Sequence, residues 1–371
     1  MRGDPVRPVV IAAGGTGGHF FPAEALAAAL LARGHRVALM TDARSGGLAS
    51  PVFAGLERFV VRGAGIAGRG ALRAAKAMLS LSAGTMQARG ILARLEPSVV
   101  VGFGGYPCVA PVLATRLLRR RPAVVLHEQN AILGRANRML CGRSTILALS
   151  FASTARVPHG IIRVVTGNPV RPALAALSAQ GYAAPADRIR LLVVGGSLGA
   201  RIFSDVVPDA LCRLPAALRA RLHVTQQCRA EDLDRVRDTY EGTGIAAELA
   251  SFFPDMAGLL AGAHLVIARA GASTVAELAV AGRPSVLVPL PGAIDGHQAA
   301  NARALADDGG AWLVAQHDFS PAALAALLER ILADAPALEA AAAVAASHGH
   351  AAAAARLADL VELHACQEVT S

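Results

Sequence analysis

The opening of the chain constrains its fold most strongly. A short apolar run, Val9–Ala13, is followed by four glycines within five residues and then by a helix-forming segment. Such a run is typical of a buried parallel strand, and we expect a helix from Pro22 to Gly34. In a strand-to-helix turn rich in glycine, backbone N–H groups and the helix dipole can meet an anion. The turn indicates a phosphate or diphosphate site; a turn that serves packing alone is the alternative.

The glycine pattern differs from two common nucleotide motifs. Counted from Gly15, the last glycine of G-x-G-x-x-G would fall on Phe20, and no Gly-Lys-Ser/Thr sequence follows that would make a P-loop. His19 adds a titratable group at the end of the turn. A single histidine is more often structural than catalytic, so a role in chemistry requires further support.

The length of 371 residues allows two domains, each with its own core. The five cysteines form no C-x-x-C pair, which argues against a disulfide framework or a zinc site and for a reducing compartment. The chain opens without a secretory leader pattern, and its apolar runs stay short of the ~20 residues that span a bilayer. We therefore expect a soluble or peripheral protein in the cytoplasm.

Charge is distributed unevenly along the chain. Residues 1–172 hold 22 Lys and Arg against 6 Asp and Glu, a balance of +16, whereas residues 173–371 hold 14 against 21, a balance of −7. The basic half suggests a nucleic acid, an anionic membrane surface or an anionic substrate as partner.

One segment of the basic half resembles a membrane-surface helix. Residues 71–95 have a helical pattern that follows a glycine-rich loop, 63–70, and a further basic run, Leu117–Arg121, lies nearby in the sequence. An ordinary solvated helix is the alternative, and we favour a membrane-surface patch over it. One face of the helix is predicted to be apolar and its flanks basic: Leu72, Ala75, Leu79 and Met86, with Arg73, Lys76 and Arg89.

Strands alternate with helices throughout, which is typical of parallel sheets with a site at the carboxyl edge. After a linker at Thr166–Pro172, the segment Arg188–Arg201 repeats the strand, glycine turn and helix of the opening. We predict an α/β protein of two Rossmann-like parallel-sheet domains that face a cleft. The predicted domains are 1–172 and 173–351, and a C-terminal helix of about 352–371 packs back on the first.

The second half carries its own candidate anion sites. Gly195, Gly196, Ser197 and Gly199 form a second glycine turn. Gly271–Thr274 ends a strand and begins a helix, and Ser273 and Thr274 are expected to cap it. Glu277 is either a dipole and capping-box residue or an acceptor for both hydroxyls of a ribose.

Metal and cofactor motifs do not stand out in the sequence. It contains neither a D-x-D pair near a predicted sugar site nor a His/Asp/Glu cluster with metal spacing. We therefore expect helix ends and arginines, rather than a divalent metal or a cofactor, to meet the charge of a leaving diphosphate.

Six motifs in order over residues 9–305 resemble the MurG family, bacterial undecaprenyldiphospho-muramoylpentapeptide β-N-acetylglucosaminyltransferases of GT-B fold. In sequence they read G-G-T-G-G-H, H-E-Q-N-A-x-x-G-x-x-N-R from His127, G-N-P-V-R from Gly167, V-V-G-G-S-x-G-A-R from Val193, R-A-G-A-S-T-V-A-E from Arg269 and D-G-H-Q-A-A-N-A from Asp295.

The resemblance implies a peripheral enzyme of peptidoglycan synthesis on the cytoplasmic face of the bacterial membrane. It implies that UDP-N-acetylglucosamine binds chiefly to the C-terminal domain, and that the acceptor, lipid I, binds to the N-terminal domain and becomes lipid II with inversion at the anomeric carbon. The anionic membrane surface is then a partner, and nucleic acid is not.

The resemblance also assigns substrate-binding residues by position. Thr16, Gly17 and Gly18 face the diphosphate region, and Asn130, Arg171 and Ser197 contact the donor. The backbone of Phe253 meets the uracil, and Gln298 contacts the sugar. The phosphate and ribose are held by Ala272, Ser273, Thr274, Val275, Ala276 and Glu277. Two positions depart from the family: Phe253 replaces a smaller aliphatic residue, and Gly296 replaces a common acidic one.

Inverting transfer requires a base that takes the proton of the acceptor hydroxyl. We hypothesise that His19 is this base, with Glu128 as the alternative. A different GT-B enzyme, with another acceptor or with epimerase activity, is the nearest rival function. A non-catalytic nucleic-acid binder is more remote, because the 10 Phe, 3 Tyr and 1 Trp are not interleaved with the arginines.

Overall fold

A computed structural model of the chain describes residues 7–15, 17–43, 50–62, 71–196 and 199–367, with the backbone alone for 71–74 and 367. The chain forms two compact units. One comprises the residues up to Arg171 together with the segment from Ala352 onward, and the other runs from Pro172 to Ala351.

The first unit is built on a seven-stranded parallel sheet. Its strands are β1 (Val9–Ala12), β2 (Val37–Thr41), β3 (Glu57–Val60), β4 (Val99–Gly102), β5 (Ala123–Glu128), β6 (Ile146–Leu149) and β7 (Arg163–Val165). Their order in space is β3-β2-β1-β4-β5-β6-β7. The order reverses between β1 and β4, and ligands of such sheets bind at the carboxyl ends of the strands beside this point.

Five helices of the first unit connect these strands: α1 (Gly17–Ala32), α2 (Pro51–Ala54), α3 (Ala71–Leu95), α4 (Val109–Thr115) and α5 (Arg135–Leu140). The prediction that α1 starts at Pro22 is wrong, because the helix begins at Gly17 and Pro22 lies inside it. The first N–H groups of a helix need no intrahelical partner, so the poor helix formers Gly17 and Gly18 are tolerated in the first turn. His19 consequently lies in that turn.

Helix α3 packs on the unit through small residues and, near its end, through Leu92 and Leu95, while several larger residues earlier in the helix are exposed. Ala77, Gly84 and Ala88 are buried. A Cβ atom at Gly84 would lie 1.9 Å from the backbone oxygen of Arg62, so this contact requires glycine. The predicted apolar face points outward at Ala75, Leu79 and Met86. The side chains of Leu72 and Arg73 and the loop 63–70 lie outside the described part of the chain.

The second unit repeats the plan with six parallel strands: β8 (Ile189–Val194), β9 (Leu222–Gln227), β10 (Ala246–Ala250), β11 (Leu265–Ala268), β12 (Ser285–Leu287) and β13 (Ala311–Leu313). The order is β10-β9-β8-β11-β12-β13, with the reversal between β8 and β11. Its helices are α6 (Pro172–Ala175), α7 (Arg201–Cys212), α8 (Ala216–Arg219), α9 (Leu233–Tyr240), α10 (Met256–Gly262), α11 (Ala272–Ala281), α12 (His297–Ala306), α13 (Pro321–Leu332) and α14 (Ala335–Ser347).

The final helix, α15 (Ala353–Gln367), belongs to the first unit. Leu357 and Val361 are fully buried in the core that α1 also lines. Arg33 at the end of α1 forms ion pairs with Asp359 and Glu362 of α15. The first unit is therefore assembled from both ends of the sequence. None of the described helices is long and apolar enough to cross a bilayer.

Candidate active site

The glycine turn after β1 leads directly into α1. Gly15 has φ +87°, a backbone conformation that favours glycine. Gly17 is buried against Phe21, whose ring would lie 2.8 Å from an added Cβ atom, and Gly18 is exposed. Thr16, the remaining predicted residue of this turn, lies outside the described residues. Gly18 is therefore the exposed glycine in the first turn of a sixteen-residue helix.

His19 is partly exposed in the first turn of α1 and is tied to the end of β5. Its Nδ1 atom lies 2.9 Å from Oε1 of Gln129. Among the described residues, none forms a hydrogen bond with Nε2 of His19. The imidazole is therefore anchored on one side and accessible on the other.

The loop after β4 lies beside the His19 ring, although none of its residues was predicted as a site residue. Gly105 has φ +65°, and a Cβ atom there would lie 3.4 Å from Nε2 of His19. The absence of a side chain at Gly105 therefore leaves space beside Nε2 of His19. The glycines of G-F-G-G-Y-P at the carboxyl end of β4 were the available signal, because that end adjoins the β1 turn.

Glu128, the alternative base, is fully engaged in holding its own loop. Its Oε1 accepts hydrogen bonds from the backbone N–H and the side-chain amide of Asn130, each at 3.0 Å. Its Oε2 accepts from the Gly134 N–H at 2.8 Å and from Nδ2 of Asn137 at 2.9 Å. A carboxylate offers about four acceptor positions. All four face protein donors here, so no position remains for a substrate hydroxyl.

Asn130 and Arg171, the other predicted donor contacts of the first unit, are both held by neighbours. The amide of Asn130 is fixed by Glu128 as described. The guanidinium of Arg171 lies 5.1 Å from the ring centroid of Phe21. Phe21 follows His19 by two residues in α1. Nε of Arg171 is buried and has no hydrogen-bond partner among the described residues. The first unit thus gathers His19, Glu128 and Asn130 in one network and places Arg171 against α1.

His127, which precedes Glu128, is completely buried beside this network. Burial lowers the pKa of His127 to about 4. The hydrogen bond to the carbonyl oxygen of Gly167 acts in the opposite direction, but its effect is smaller. His127 is therefore neutral at physiological pH. Its ring also packs at 5.3 Å from the ring of Phe103.

The glycine turn of the second unit follows β8. Gly196 and Gly199 have φ values of +84° and +66°. A Cβ atom at Gly195 would lie 2.2 Å from the backbone nitrogen of Ala200, so the turn closes tightly. The N–H of Gly195 is taken by Oε1 of Gln227 at 3.1 Å. Ser197, the predicted donor contact of this turn, lies outside the described residues.

Helix α11 begins differently from the prediction. Its N-cap is Gly271, which offers no side chain, so the expected capping by Ser273 and Thr274 is wrong. Because Thr274 occupies the third helical position, Glu277 lies beyond the reach of a capping box. The glycine cap contributes no side chain to the first turn, and Glu277 is not part of a capping box.

The remaining predicted residues of the second unit lie around this helix. Ala272 and Val275 are buried, while Ser273, Thr274, Ala276 and Glu277 are partly exposed. Phe253 is partly buried between β10 and α10. Oε1 of Gln298, on α12, accepts a hydrogen bond from the Leu290 N–H at 2.9 Å. This bond fixes the orientation of the amide and leaves both Nε2 hydrogens available for a ligand.

Arg269 was missed as a site residue although it lies in one of the quoted motifs. Its guanidinium donates to the carbonyl oxygens of Val288 and Pro289 at 3.0 and 3.3 Å and to Oε1 of Gln316 at 2.7 Å. It also lies 5.2 Å from the ring centroid of Phe203. Burial lowers the pKa of Arg269. It anchors the start of the loop that includes Leu290 and so positions Gln298.

No cluster of three His, Cys, Asp or Glu side chains with metal-binding geometry occurs in the part of the chain that the structure describes. The groups suited to an anion are the glycine turns, the starts of α1 and α11 and the arginines. The chemistry that this arrangement supports is the binding of phosphate groups and a proton transfer at His19.

Comparison with known proteins defines the class. The glycosyltransferase family 28 N-terminal domain matches residues 9–146, and the C-terminal domain of the same family matches residues 190–357. The crystal structure of Acinetobacter baumannii MurG has a TM-score of 0.77 and 30% identity, covering 97% of this chain and 100% of that one. Two parallel-sheet units with these matches define a glycosyltransferase of GT-B fold, as the sequence predicted.

The curated relatives narrow this class to one family. The chain is 61% identical to the UDP-N-acetylglucosamine–N-acetylmuramyl-(pentapeptide) pyrophosphoryl-undecaprenol N-acetylglucosamine transferase of Granulibacter bethesdensis, over 98% of this chain and 95% of that enzyme. The Acidiphilium cryptum enzyme of the same name is 54% identical over 97% of this chain and 98% of its own length. The chain belongs to this transferase family, MurG. The family membership that the six sequence motifs predicted is confirmed.

Proposed function

We infer that this protein transfers N-acetylglucosamine from UDP-N-acetylglucosamine to lipid I, undecaprenyl-diphospho-N-acetylmuramoyl-pentapeptide, and so forms lipid II for peptidoglycan. The observation that carries this inference is the identity to the curated transferases along nearly the whole chain. The protein is accordingly a UDP-N-acetylglucosamine-dependent hexosyltransferase.

The donor is held chiefly by the second unit in this proposal. The first turn of α11 faces the phosphates through the backbone of Ala272, Ser273 and Thr274, and Glu277 accepts hydrogen bonds from the ribose hydroxyls. The Nε2 donors of Gln298 contact the sugar. The Phe253 backbone meets the uracil, Val275 and Ala276 complete the helix start, and Ser197 and Asn130 add donor contacts.

His19 is the base in this proposal. Its Nε2 takes the proton of the acceptor hydroxyl as the hydroxyl oxygen forms a bond to the anomeric carbon. The bond from that carbon to the diphosphate breaks at the same time, UDP leaves with the electron pair, and the anomeric centre is inverted. The accessible Nε2 supports this role, whereas the four hydrogen bonds to Glu128 argue against the alternative.

Backbone N–H groups and an arginine side chain stabilise the negative charge of the diphosphate in this proposal. The glycine turn with Thr16, Gly17 and Gly18 meets the diphosphate region at the start of α1, and Arg171 adds a cation beside it. Charge that develops on a leaving diphosphate is stabilised by donors aimed at it before the reaction begins.

The surface of the first unit supports a peripheral membrane location on the cytoplasmic side. The side chains of Met78 and Leu79 on α3 are 67% and 72% exposed, and Met86 is also exposed. Arg89, on the same helix, donates to the carbonyl oxygen of Leu117 at 3.1 Å, which brings the basic run Leu117–Arg121 to this helix. Between Arg58 and His127 the sequence has a single acidic residue, Glu96.

This surface combines exposed apolar side chains with a local excess of positive charge, which is what an anionic leaflet binds. We name it the α3 patch, formed by Met78, Leu79 and Met86 together with Lys76, Arg89, Arg116 and Arg119–Arg121. The acceptor, lipid I, is embedded in that leaflet by its polyprenyl chain, so binding at the α3 patch brings the first unit to its substrate.

Vesicle co-sedimentation tests the α3 patch. Vesicles with phosphatidylglycerol should bind the protein more tightly than neutral vesicles, and added salt should weaken binding steeply. Serine at Met78, Leu79 and Met86 together should reduce binding strongly. Ile162→Ser is the matched control, because Ile162 is 68% exposed and lies before β7. Binding that is indifferent to salt and lipid charge would contradict the proposal.

A product assay tests the reaction. The protein, UDP-N-acetylglucosamine and a short-chain lipid I analogue are incubated with a chelator, and we expect released UDP and a disaccharide product. Turnover of the donor without acceptor would instead indicate an epimerase, and UDP release with a different acceptor would indicate another GT-B transferase. Thermal stabilisation by UDP, compared with an oligonucleotide, tests the nucleic-acid alternative.

A further inference from the structure

A chain of hydrogen bonds leads from the His19 ring into the interior of the first unit. Nδ1 of His19 lies 2.9 Å from Oε1 of Gln129, and Nε2 of Gln129 lies 3.0 Å from Nδ1 of His127. Nε2 of His127 then lies 3.0 Å from the carbonyl oxygen of Gly167. Gln129 and His127 are both buried, and neither was predicted as a site residue.

The orientation of the Gln129 amide is fixed by a backbone group. Its Nε2 donates to the carbonyl oxygen of Phe103 at 3.0 Å. A carbonyl oxygen can only accept, so the amide nitrogen must face Phe103 and the amide oxygen must face His19. Nδ1 of His19 therefore carries the hydrogen of that bond.

His127 supports the same orientation from the other side. Its Nε2 faces the carbonyl oxygen of Gly167, so Nε2 carries a hydrogen and Nδ1 has a free lone pair. That lone pair accepts the second hydrogen of the Gln129 amide. A flipped amide would place its oxygen against three acceptors, the carbonyl oxygens of Phe103 and His127 and Nδ1 of His127. Two independent contacts thus hold the amide in one orientation.

We infer that Gln129 is a positioning residue that holds His19 in the Nδ1–H tautomer and leaves the Nε2 lone pair directed at the acceptor hydroxyl. This inference rests on the proposed role of His19 as base. The other tautomer would place a hydrogen on Nε2, where it could not receive a proton, and would set the Nδ1 lone pair against the amide oxygen. His127 and the Phe103 carbonyl act through Gln129.

Kinetics of two variants test this inference. Gln129→Met removes the amide at similar length, and we expect kcat to fall roughly 10- to 100-fold, as when the partner of a functional histidine is removed. KM for the nucleotide sugar should change little, because Gln129 is only 1% exposed. His127→Phe is the matched control, since the Phe103 carbonyl still orients the amide, and its kcat should fall much less.

Nuclear magnetic resonance of the full-length protein with ¹⁵N-labelled histidine rings reads the tautomer directly. At alkaline pH, the His19 signals, assigned by their loss in His19→Ala, should show hydrogen on Nδ1. In Gln129→Met they should show hydrogen on Nε2 for a substantial population. A wild-type spectrum with hydrogen on Nε2 of His19 would overturn the inference even if Gln129→Met failed to fold.

The same variants separate the inference from the proposed function. If His19→Ala is inactive and Gln129→Met keeps the wild-type tautomer and kcat, the positioning role of Gln129 is wrong. The assignment of His19 as base is then still supported. If His19→Ala retains wild-type turnover, the base assignment itself falls. We expect Gln129→Met to add no further loss in the His19→Ala background, because one residue acts through the other.

Discussion

Oε2 of Glu128 accepts a 2.9 Å hydrogen bond from Nδ2 of Asn137, and these two side chains are only 2% and 1% exposed. Asn137 also donates to the carbonyl oxygen of His127 at 3.0 Å. The pair therefore joins the end of β5 to α5 and closes the loop that carries Asn130. Glu128, which the sequence analysis weighed as a catalytic base, accepts the hydrogen bonds that hold this loop together.

Replacing Glu128 should consequently affect stability as well as activity. Glu128→Ala leaves four N–H donors without an acceptor, and hydrogen bonds to charged groups contribute about 1.5–3 kcal/mol each. We expect the free energy of unfolding to fall by at least about 3 kcal/mol, measured by urea denaturation. His19→Ala should leave this free energy nearly unchanged while turnover falls. The reverse pattern would favour Glu128 as the base.

Glu277 should discriminate ribose from deoxyribose. If its carboxylate accepts hydrogen bonds from both ribose hydroxyls, Glu277→Ala should weaken UDP binding by roughly 10- to 100-fold, as expected for hydrogen bonds to a charged group. Binding of 2′-deoxy-UDP should weaken much less. Titration calorimetry measures both affinities, and Glu339→Ala, an exposed carboxylate on α14, is the control. Equal losses for the two nucleotides would exclude a contact between Glu277 and the 2′-hydroxyl.

Burial of His127 makes the first unit sensitive to acid. Its folded-state pKa of about 4 lies below the ordinary value of 6.5, so the unfolded chain binds more protons between these two values. The free energy of unfolding should therefore decrease as pH falls through this window, by about 3 kcal/mol at most, and be fully retained above it. Urea midpoints measured across the window should decline less steeply for His127→Phe than for the wild type. Parallel curves for the two proteins would contradict this prediction.

The two glycines of α3 should respond in opposite ways to alanine. Gly84→Ala would place a Cβ atom 1.9 Å from the backbone oxygen of Arg62, whereas a Cβ atom at Gly90 meets nothing within 4 Å. We expect Gly90→Ala to stabilise the protein by about 1 kcal/mol through helix propensity, and Gly84→Ala to destabilise it by about 2 kcal/mol or more. Urea denaturation compares them. A gain at both positions would show that α3 can move away from Arg62.

Hydrophobic pattern predicted strands at the centre of both sheets, such as β1 and β8, because buried parallel strands read as short apolar runs. The more exposed strands β7 and β10 were not predicted. The start of α1 was misplaced because intrinsic propensity disfavours Gly17 and Gly18 in a helix, and the first turn does not depend on propensity alone. The cap of α11 was misplaced for a related reason: Ser273 and Thr274 are good capping residues, yet the chain turns at Gly271.

The site was predicted less completely than the fold. Charged residues attract attention in a sequence, so Glu128 was weighed as a base and the neutral Gln129 beside it was passed over. What separates them is where their hydrogen-bond partners lie. Asn130, Gly134 and Asn137 converge on Glu128, and Phe103, 26 residues away in sequence, orients Gln129. Phe103 and Gln129 follow β4 and β5, so they are brought together only when these two strands pair.

The return of α15 to the first unit bears on how the polypeptide is made. Residues Pro172–Ala351 can reach their compact form while the ribosome still holds the last helix, whereas the core shared by Leu26, Leu357 and Val361 must wait for it. The unit that is translated first is therefore completed last. Until α15 emerges, nascent chains expose an apolar face of α1, and chaperones that bind such surfaces would find it there.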